Sequence, residues 1–194
     1  GLVENQVARE VDVRIPVVAG REATVLVAVV NRGPFQHVPT DPEEDRLELG
    51  KQHYRRAYVA ERDGDGPVAL EHYLASYEAD PSYLPTLEGL GAALVDAERY
   101  EDAQRIFQTI LVNHRESLTD AEVVDLHHEV GDLSMRLGQL ERAKKSLFKA
   151  LEIDGRHVGT LGSLAELSEK LDQLEDAYDF RERMIEQLGD PAAR

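Results

Sequence analysis

A histidine pair followed by an aspartate is the group of residues best suited to binding a metal. His127 and His128 are adjacent, so on a helix they point about 100° apart and cannot hold one ion together. His128 and Asp132 are four residues apart and would share one helix face. A catalytic zinc takes three ligands from the protein, and this pair supplies only two. We therefore expect no metal at this position.

Other suggestive residues also have structural explanations. Residues 63–66, Asp-Gly-Asp-Gly, begin like a calcium loop, but the further oxygen ligands and the closing Glu are missing, so we expect a turn. Ser134 and Ser168 lie at core-facing helix positions without the sequence around a nucleophile elbow. Glu141 and Lys145, four residues apart, are expected to form a surface ion pair on a helix. The sequence thus predicts no catalytic residue and no cofactor.

The charge balance excludes two classes of partner. The 194 residues include 38 Asp and Glu against 22 Lys and Arg, a formal charge of −16 at pH 7. Nucleic acids and anionic membrane surfaces both need a basic face, so neither is expected to bind. No apolar run approaches the ~20 residues of a membrane span, which disfavours insertion. We expect a cytoplasmic location, although the start at Gly1 without Met is either a processed end or one set by cloning.

A three-residue pattern recurs four times along the chain. A small residue is followed twelve positions later by Ala and four positions after that by a large side chain. The sets are Ala57-Ala69-Tyr73, Gly91-Ala103-Phe107, Gly131-Ala143-Leu147 and Ala165-Ala177-Arg181, spaced by 34, 40 and 34 residues, with only Arg181 off-pattern. Ordinary helix amphipathicity explains apolar spacing but not a repeated small residue. Small residues let two antiparallel helices cross closely, and the large residue fills the gap to the next pair.

The pattern resembles the tetratricopeptide repeat, a helix-turn-helix unit of about 34 residues. The resemblance implies an all-α fold, a right-handed superhelix or solenoid of four repeats. These repeats would span about 50–83, 84–117, 124–157 and 158–191. The resemblance also implies a binding scaffold rather than an enzyme. His127 falls where the family often has Trp, which implies a packed, hydrogen-bonded side chain.

Start and stop signals place the helices within the repeats. They predict helices over about 43–62, 67–79, 84–97, 100–113, 119–137, 140–153, 157–171 and 174–188. Thr119 and Glu122 form the S/T-x-x-E pattern of a capping box. The six extra residues of the 40-residue step are therefore expected to lengthen the third repeat's first helix at its start. Within the 194 residues we expect no separate polar capping helix, although solenoids usually need one, so the array is either part of a longer one or covered at its last surface by another molecule.

The N-terminal part differs from the repeats. Residues 11–18 alternate apolar and polar side chains, and residues 23–30 are apolar on both faces, which predicts a β-hairpin. Such a hairpin is marginal alone, so it must pack on the helices or on another chain. Three prolines then indicate a linker. We expect an N-terminal β segment with linker at residues 1–40 and a repeat array at residues 41–194.

The resemblance also implies where a partner binds, because the first helix of each repeat lines the concave groove of such an array. The groove residues would be Lys51, Tyr54, Arg55 and Tyr58, then Glu88 and Ala92, then Asp125, His128 and Asp132, and finally Glu166 and Glu169. One end is thus aromatic and basic, and the far end is acidic. Members that bind acidic chaperone tails use a clamp of Lys, Asn and Arg. Here Tyr54 and Tyr58 stand at clamp positions, so co-chaperone activity of that type is not expected.

These observations predict a non-enzymatic protein–protein interaction scaffold that binds a peptide or partner helix in the concave groove. The partner would carry an aromatic or acidic stretch toward repeat one and basic residues toward repeats three and four. The alternative is a structural subunit that self-assembles through residues 11–30 and through the array ends. The apolar strand at 23–30 supports this alternative, and the uneven groove supports the scaffold.

Overall fold

The computed structural model describes residues 41–189, and in this part of the chain the predicted all-α class is confirmed. The helices are α1 (Pro42–Arg62), α2 (Gly66–Ala79), α3 (Leu84–Asp96), α4 (Tyr100–Asn113), α5 (Asp120–Arg136), α6 (Leu140–Ile153), α7 (Val158–Lys170) and α8 (Leu174–Gly189). A short 3-10 turn, Arg115–Ser117, precedes α5. None of these eight helices has the length and apolar character needed to cross a membrane. The hairpin expected within residues 11–30 lies outside the described residues, and the domain boundary near residue 40 stays a prediction.

The helices form four pairs that stack into the predicted superhelix. The closest packing joins α1 with α2, α3 with α4, α5 with α6 and α7 with α8, and each second helix then packs on the first helix of the next pair. The backbones of first helices also approach each other, as those of α5 and α7 do, whereas no two second helices are among the described elements with such close backbones. The first helices are therefore closer together and line the concave side. The second helices form the outer face.

The glycines of the repeated pattern lie where the helices cross. A Cβ built on Gly91 would overlap the Phe107 ring, and one on Gly131 would lie 2.5 Å from Leu147 Cδ2. Both large side chains are buried. The glycines are therefore needed for the close approach of α3 to α4 and of α5 to α6, which supports the sequence register.

In the first repeat, an alanine stands where repeats two and three have a glycine at the helix crossing. Ala57 occupies the small position and is fully buried. The Tyr73 ring instead extends into the next repeat, where it would overlap a Cβ on Gly89. Its hydroxyl donates a hydrogen bond to the Glu61 carboxylate at 2.5 Å. Burial and this anionic acceptor raise the pKa of Tyr73, so its hydroxyl stays protonated.

The insertion between repeats two and three is shared between a helix and a turn. Helix α5 is four residues longer than α3 or α7, as predicted, and the other extra residues join the connection that contains the 3-10 turn. The predicted capping box is confirmed. The Glu122 backbone N–H donates to Thr119 Oγ1 at 3.3 Å, and the Thr119 N–H donates to the Glu122 carboxylate at 2.7 Å. The Thr119 backbone N–H and then the Thr119 hydroxyl, both donating to the Glu122 carboxylate, lower the pKa of Glu122.

Ser134 and Ser168 are both packed between the helices. Ser134 is fully buried, accepts a hydrogen bond from Gln104 Nε2 at 2.7 Å and donates one to the Val130 carbonyl at 2.7 Å. Ser168 is buried as well. Both serines therefore occupy the core-facing helix positions predicted for them.

Two expectations about α5 and α6 need correction. Glu141 and Lys145 form no ion pair within residues 41–189, and Lys145 lines a cleft on the outer face instead. His127 is partly buried, as expected for a packed side chain, but its ring makes no hydrogen bond to another described residue. The ring lines the same outer cleft, where it is open to solvent.

Candidate functional site

The concave groove is formed by α1, α3, α5 and α7, and all eleven predicted groove residues lie on these helices. Most of them are exposed, namely Lys51, Arg55, Tyr58, Glu88, Ala92, Asp125, Glu166 and Glu169. Tyr54, His128 and Asp132 are partly buried. The groove therefore presents a mostly exposed surface in which three side chains are held by their neighbours.

The repeat-one end of the groove is an aromatic platform. The Tyr54 ring meets the Tyr83 ring edge-on at a centroid distance of 5.5 Å and lies 6.2 Å from the Tyr73 ring. Burial raises the pKa of Tyr54, and the nearby Tyr83 and Glu88 raise it further. Tyr58, one turn further along α1, is 57% exposed. A fixed ring and a free ring thus lie side by side.

The cations at this end leave charge available to a partner. Lys51 is exposed and has no ion-pair partner among the described residues. Arg55 makes one exposed contact of 3.4 Å with Glu48. Exposed pairs of this kind contribute little stability, because solvent screens them. Both side chains are therefore free to turn toward an acidic ligand.

The middle of the groove is small and weakly polar. Ala92 is exposed there and adds no side chain beyond Cβ. Glu88 is exposed as a residue, yet partial burial of its carboxyl raises its pKa, and the Glu122 carboxylate raises it further, while His114 opposes both. This stretch offers space rather than strong charge.

The far end of the groove is a histidine–aspartate cluster that joins α5 to α7. His128 Nε2 lies 3.1 Å from Ser163 Oγ and 3.5 Å from an Asp132 carboxylate oxygen. His157 Nε2 lies 3.4 Å from the Asp125 carboxylate. The two imidazole rings meet edge-on with centroids 5.3 Å apart. Across residues 41–189, no three such side chains are placed to hold one metal ion.

The Tyr54–Tyr83 and His128–His157 ring contacts occupy equivalent positions in different repeats. Tyr54 and Tyr83 are 29 residues apart, and so are His128 and His157. The pairs are offset by 74 residues, which is one 34-residue step and one 40-residue step. At the junction between them the equivalent of Tyr83 is Val123, which is buried within the lengthened α5. Sequence reasoning missed Tyr83, His157 and Ser163, and this spacing of rings was the signal that could have found the first two.

The acidic end is less anionic than its composition suggests. Glu166 pairs with Lys170 at 2.8 Å, and Glu169 pairs with Arg181. Arg181 is the residue that breaks the repeated pattern, and its partner on α7 explains how a charged side chain is accommodated there. Each predicted carboxylate of repeats three and four therefore already contacts a cation or an imidazole.

Comparison with solved structures places this arrangement among known helical repeats. Residues 41 to the end of MamA from Desulfovibrio magneticus RS-1 superpose with a TM-score of 0.62 at 15% identity, covering 71% of this chain and 74% of that one. YrrB, described as a TPR protein with an unusual peptide-binding site, gives 0.58 at 20% identity, covering 76% and 75%. A tetratricopeptide repeat protein from Parabacteroides merdae ATCC 43184 gives 0.62 at 17% identity, covering 75% and 56%.

No protein-family model and no curated protein matches the chain. At identities of 20% or less, the structural likeness concerns the fold. Together with the four helix pairs and the glycines at their crossings, it shows that this chain has the tetratricopeptide-repeat fold.

Proposed function

We propose that the chain is a non-enzymatic scaffold that binds a polypeptide segment in the concave groove. The observation that carries the proposal is the free Tyr58 ring beside the fixed Tyr54–Tyr83 platform. Tyrosines give a large contact area at low entropic cost and are enriched among residues that dominate binding energy. YrrB, which shares the fold, is described as having a peptide-binding site, and this supports the same class of ligand here.

The charges of the groove define the partner's chemistry. Lys51 and Arg55 favour an aromatic or acidic stretch beside repeat one. Asp125, Asp132 and Glu166 favour basic residues toward repeats three and four, where a ligand cation would replace the present partners. Because these pairs are exposed or partly exposed, exchanging them costs little free energy. The partner would thus lie along the groove in one direction.

The aromatic contribution is tested by kinetic titration with a partner captured from the source organism. Tyr58→Ala should weaken binding by roughly 1–2 kcal/mol, chiefly through faster dissociation. Tyr178→Ala is the control, because Tyr178 is a tyrosine on α8 outside the groove and is 67% exposed, against 57% for Tyr58. It should leave both rate constants unchanged.

The acidic end is tested by charge reversal in the same titration. Asp132→Lys with Glu166→Lys should slow association and flatten its salt dependence, since charges that solvent reaches, fully or in part, act mainly on the encounter rate. Glu101→Lys with Glu141→Lys, on the outer helices α4 and α6, makes the same charge change away from the groove. Unchanged rates in all the groove variants would place the binding site elsewhere.

Self-assembly through the array end is the second candidate, and the surface of α8 favours it. Leu174, Tyr178, Ile185 and Leu188 are each more than half exposed, and their spacing places them on one side of the helix. Terminal repeats of solenoids normally carry a polar outer face. Mass measurement in solution tests this candidate: a dimer that Ile185→Lys with Leu188→Lys dissociates would support it, and a strict monomer would refute it. Deleting residues 1–40 in the same measurement tests the N-terminal segment.

A further inference from the structure

A second surface with ligand-binding features lies on the outer face, in a cleft between α4 and α6 with α5 as its floor. We call it the outer cleft. Its volume is about 510 Å³, which falls within the ~300–1,000 Å³ of ligand pockets in proteins. Val123 and Val130 form a buried apolar floor, while Val112 and Ile153 are exposed at the rim, Val112 to 78%. The cleft therefore presents apolar surface that nothing in the described chain covers.

The charge of the outer cleft is opposite to that of the chain. Arg115, Arg142, Lys145 and Lys149 line it, and none of its lining residues is acidic, although acidic residues outnumber basic ones by 38 to 22 in the whole sequence. Within residues 41–189, Arg115 alone of these four has an ion-pair partner, Asp120 at 2.8 Å. Three cations are thus left facing solvent around an apolar floor.

The positions of these cations follow from the helix period and from the insertion. Arg142, Lys145 and Lys149 are spaced by three and four residues on α6, which puts them on one face of that helix. Arg115 comes from the 3-10 turn within the extended connection between repeats two and three. The ring of His127 lies among them, and its pKa is lowered by burial and then by the charges of Lys149 and Arg115, while Glu152 opposes this. The basic side chains of the rim thus act on a residue of α5, the helix that forms the floor of the cleft.

The next junction along the outer face has a different character. Between α6 and α8, the Phe148 and Phe180 rings contact each other edge-on at 6.2 Å. The surface beside them includes three acidic side chains and one cation, Asp176, Asp179, Glu182 and Arg183. A basic rim over an apolar floor is therefore a property of the α4–α6 junction and not of the outer face as a whole.

We propose that the outer cleft binds an acidic amphipathic peptide segment of a protein partner. Apolar side chains of the peptide would pack between Val112 and Ile153, and its carboxylates would pair with Arg142, Lys145 and Lys149. An extended polyanion such as nucleic acid or an anionic bilayer would meet the repulsion of the remaining surface, because the net charge is −16. A short segment meets only the local basic rim. This site is on the face opposite the concave groove, so it does not depend on the function proposed above.

A designed peptide tests the proposal directly. The probe is a fluorescein-labelled 16-residue helical peptide with leucines along one stripe and glutamates beside it, and its binding is followed by fluorescence anisotropy. Lys145→Glu with Lys149→Glu should weaken binding at least about tenfold, which corresponds to about 1.4 kcal/mol. Arg46→Glu with Arg56→Glu makes the same charge change on α1, where both side chains are exposed, and should change binding less than about twofold.

Altered probes and a groove variant separate the possible sites and ligands. Replacing the glutamates by Gln, or the leucines by Ser, should each abolish most binding, and Tyr58→Ala should leave binding unchanged. The proposal is overturned if the original probe does not bind, if the Gln peptide binds equally well, or if the α1 control weakens binding as much. A loss of binding in Tyr58→Ala would place the peptide in the concave groove instead. Stronger binding to phosphatidylserine vesicles or to single-stranded DNA, lost in the same α6 variant, would show that the ligand class is wrong. Circular dichroism checks that each variant is folded.

Discussion

The glycines at the helix crossings give a prediction in which one substitution has opposite effects at two positions. Gly→Ala within a helix is normally stabilising by about 1 kcal/mol through backbone propensity. At Gly91 the new methyl would overlap the buried Phe107 ring, and overpacking of a core typically costs about 1–3 kcal/mol. At Gly162 the nearest atom to a new methyl is Met184 Sδ at 3.5 Å, an ordinary contact. We therefore expect Gly91→Ala to lower the free energy of unfolding by about 1 kcal/mol and Gly162→Ala to raise it by about as much.

Thermal melts followed by circular dichroism measure this difference. A separation of about 2 kcal/mol corresponds to roughly 4–8 °C between the two melting temperatures for a chain of this size. Adding Phe107→Ala to Gly91→Ala should remove the overlap, so the double variant should be more stable than the sum of the single effects. If Gly91→Ala instead stabilises the protein as much as Gly162→Ala does, the assigned crossing of α3 and α4 is wrong.

Two further predictions concern buried polar groups. Ser134→Ala should lower the free energy of unfolding by about 1–3 kcal/mol, because it leaves the buried Gln104 amide without its acceptor. Adding Gln104→Leu should recover much of that loss in urea unfolding. The second prediction concerns His127, whose pKa is lowered by burial. Below the ordinary histidine pKa of about 6.5, the unfolded chain therefore binds more protons than the folded chain. The free energy of unfolding then falls as pH falls. His127→Gln should remove this contribution, so the variant should lose less unfolding free energy on acidification than the parent. Urea titrations of both proteins between about pH 7.5 and pH 5 measure that loss. Identical dependence of the unfolding free energy on pH would contradict the assigned environment of the ring.

Most of the fold could be predicted because its signals are local and repeated. The 34-residue step fixes the helix pairs, and caps such as Thr119 fix where individual helices begin. The small residues at Gly91 and Gly131 then determine which faces meet. The caps and the small residues depend on contacts within one repeat, and the 34-residue step shows the same pattern again in the next. Helix bounds and core register therefore follow from the sequence.

The contacts between repeats were harder to predict. The Tyr54–Tyr83 and His128–His157 contacts depend on how one repeat is rotated against the next, and the Asp125–His157 pair needs the same information. The Glu141–Lys145 spacing allows an ion pair on any isolated helix. Whether the pair forms depends on the rotamers that the two side chains adopt beside the outer cleft, and the sequence does not specify those rotamers. The partner of Arg181 is likewise on another helix, because Glu169 lies opposite it on α7.

The claim that a partner binds in the concave groove is tested most directly by hydrogen–deuterium exchange of the chain with and without the captured partner. We expect slower exchange in α1, α3, α5 and α7, with the strongest change in α1 around Tyr58, and little change in α2 and α8. Slower exchange confined to the second helices α2, α4, α6 and α8 would contradict it, because the partner would then lie on the outer face.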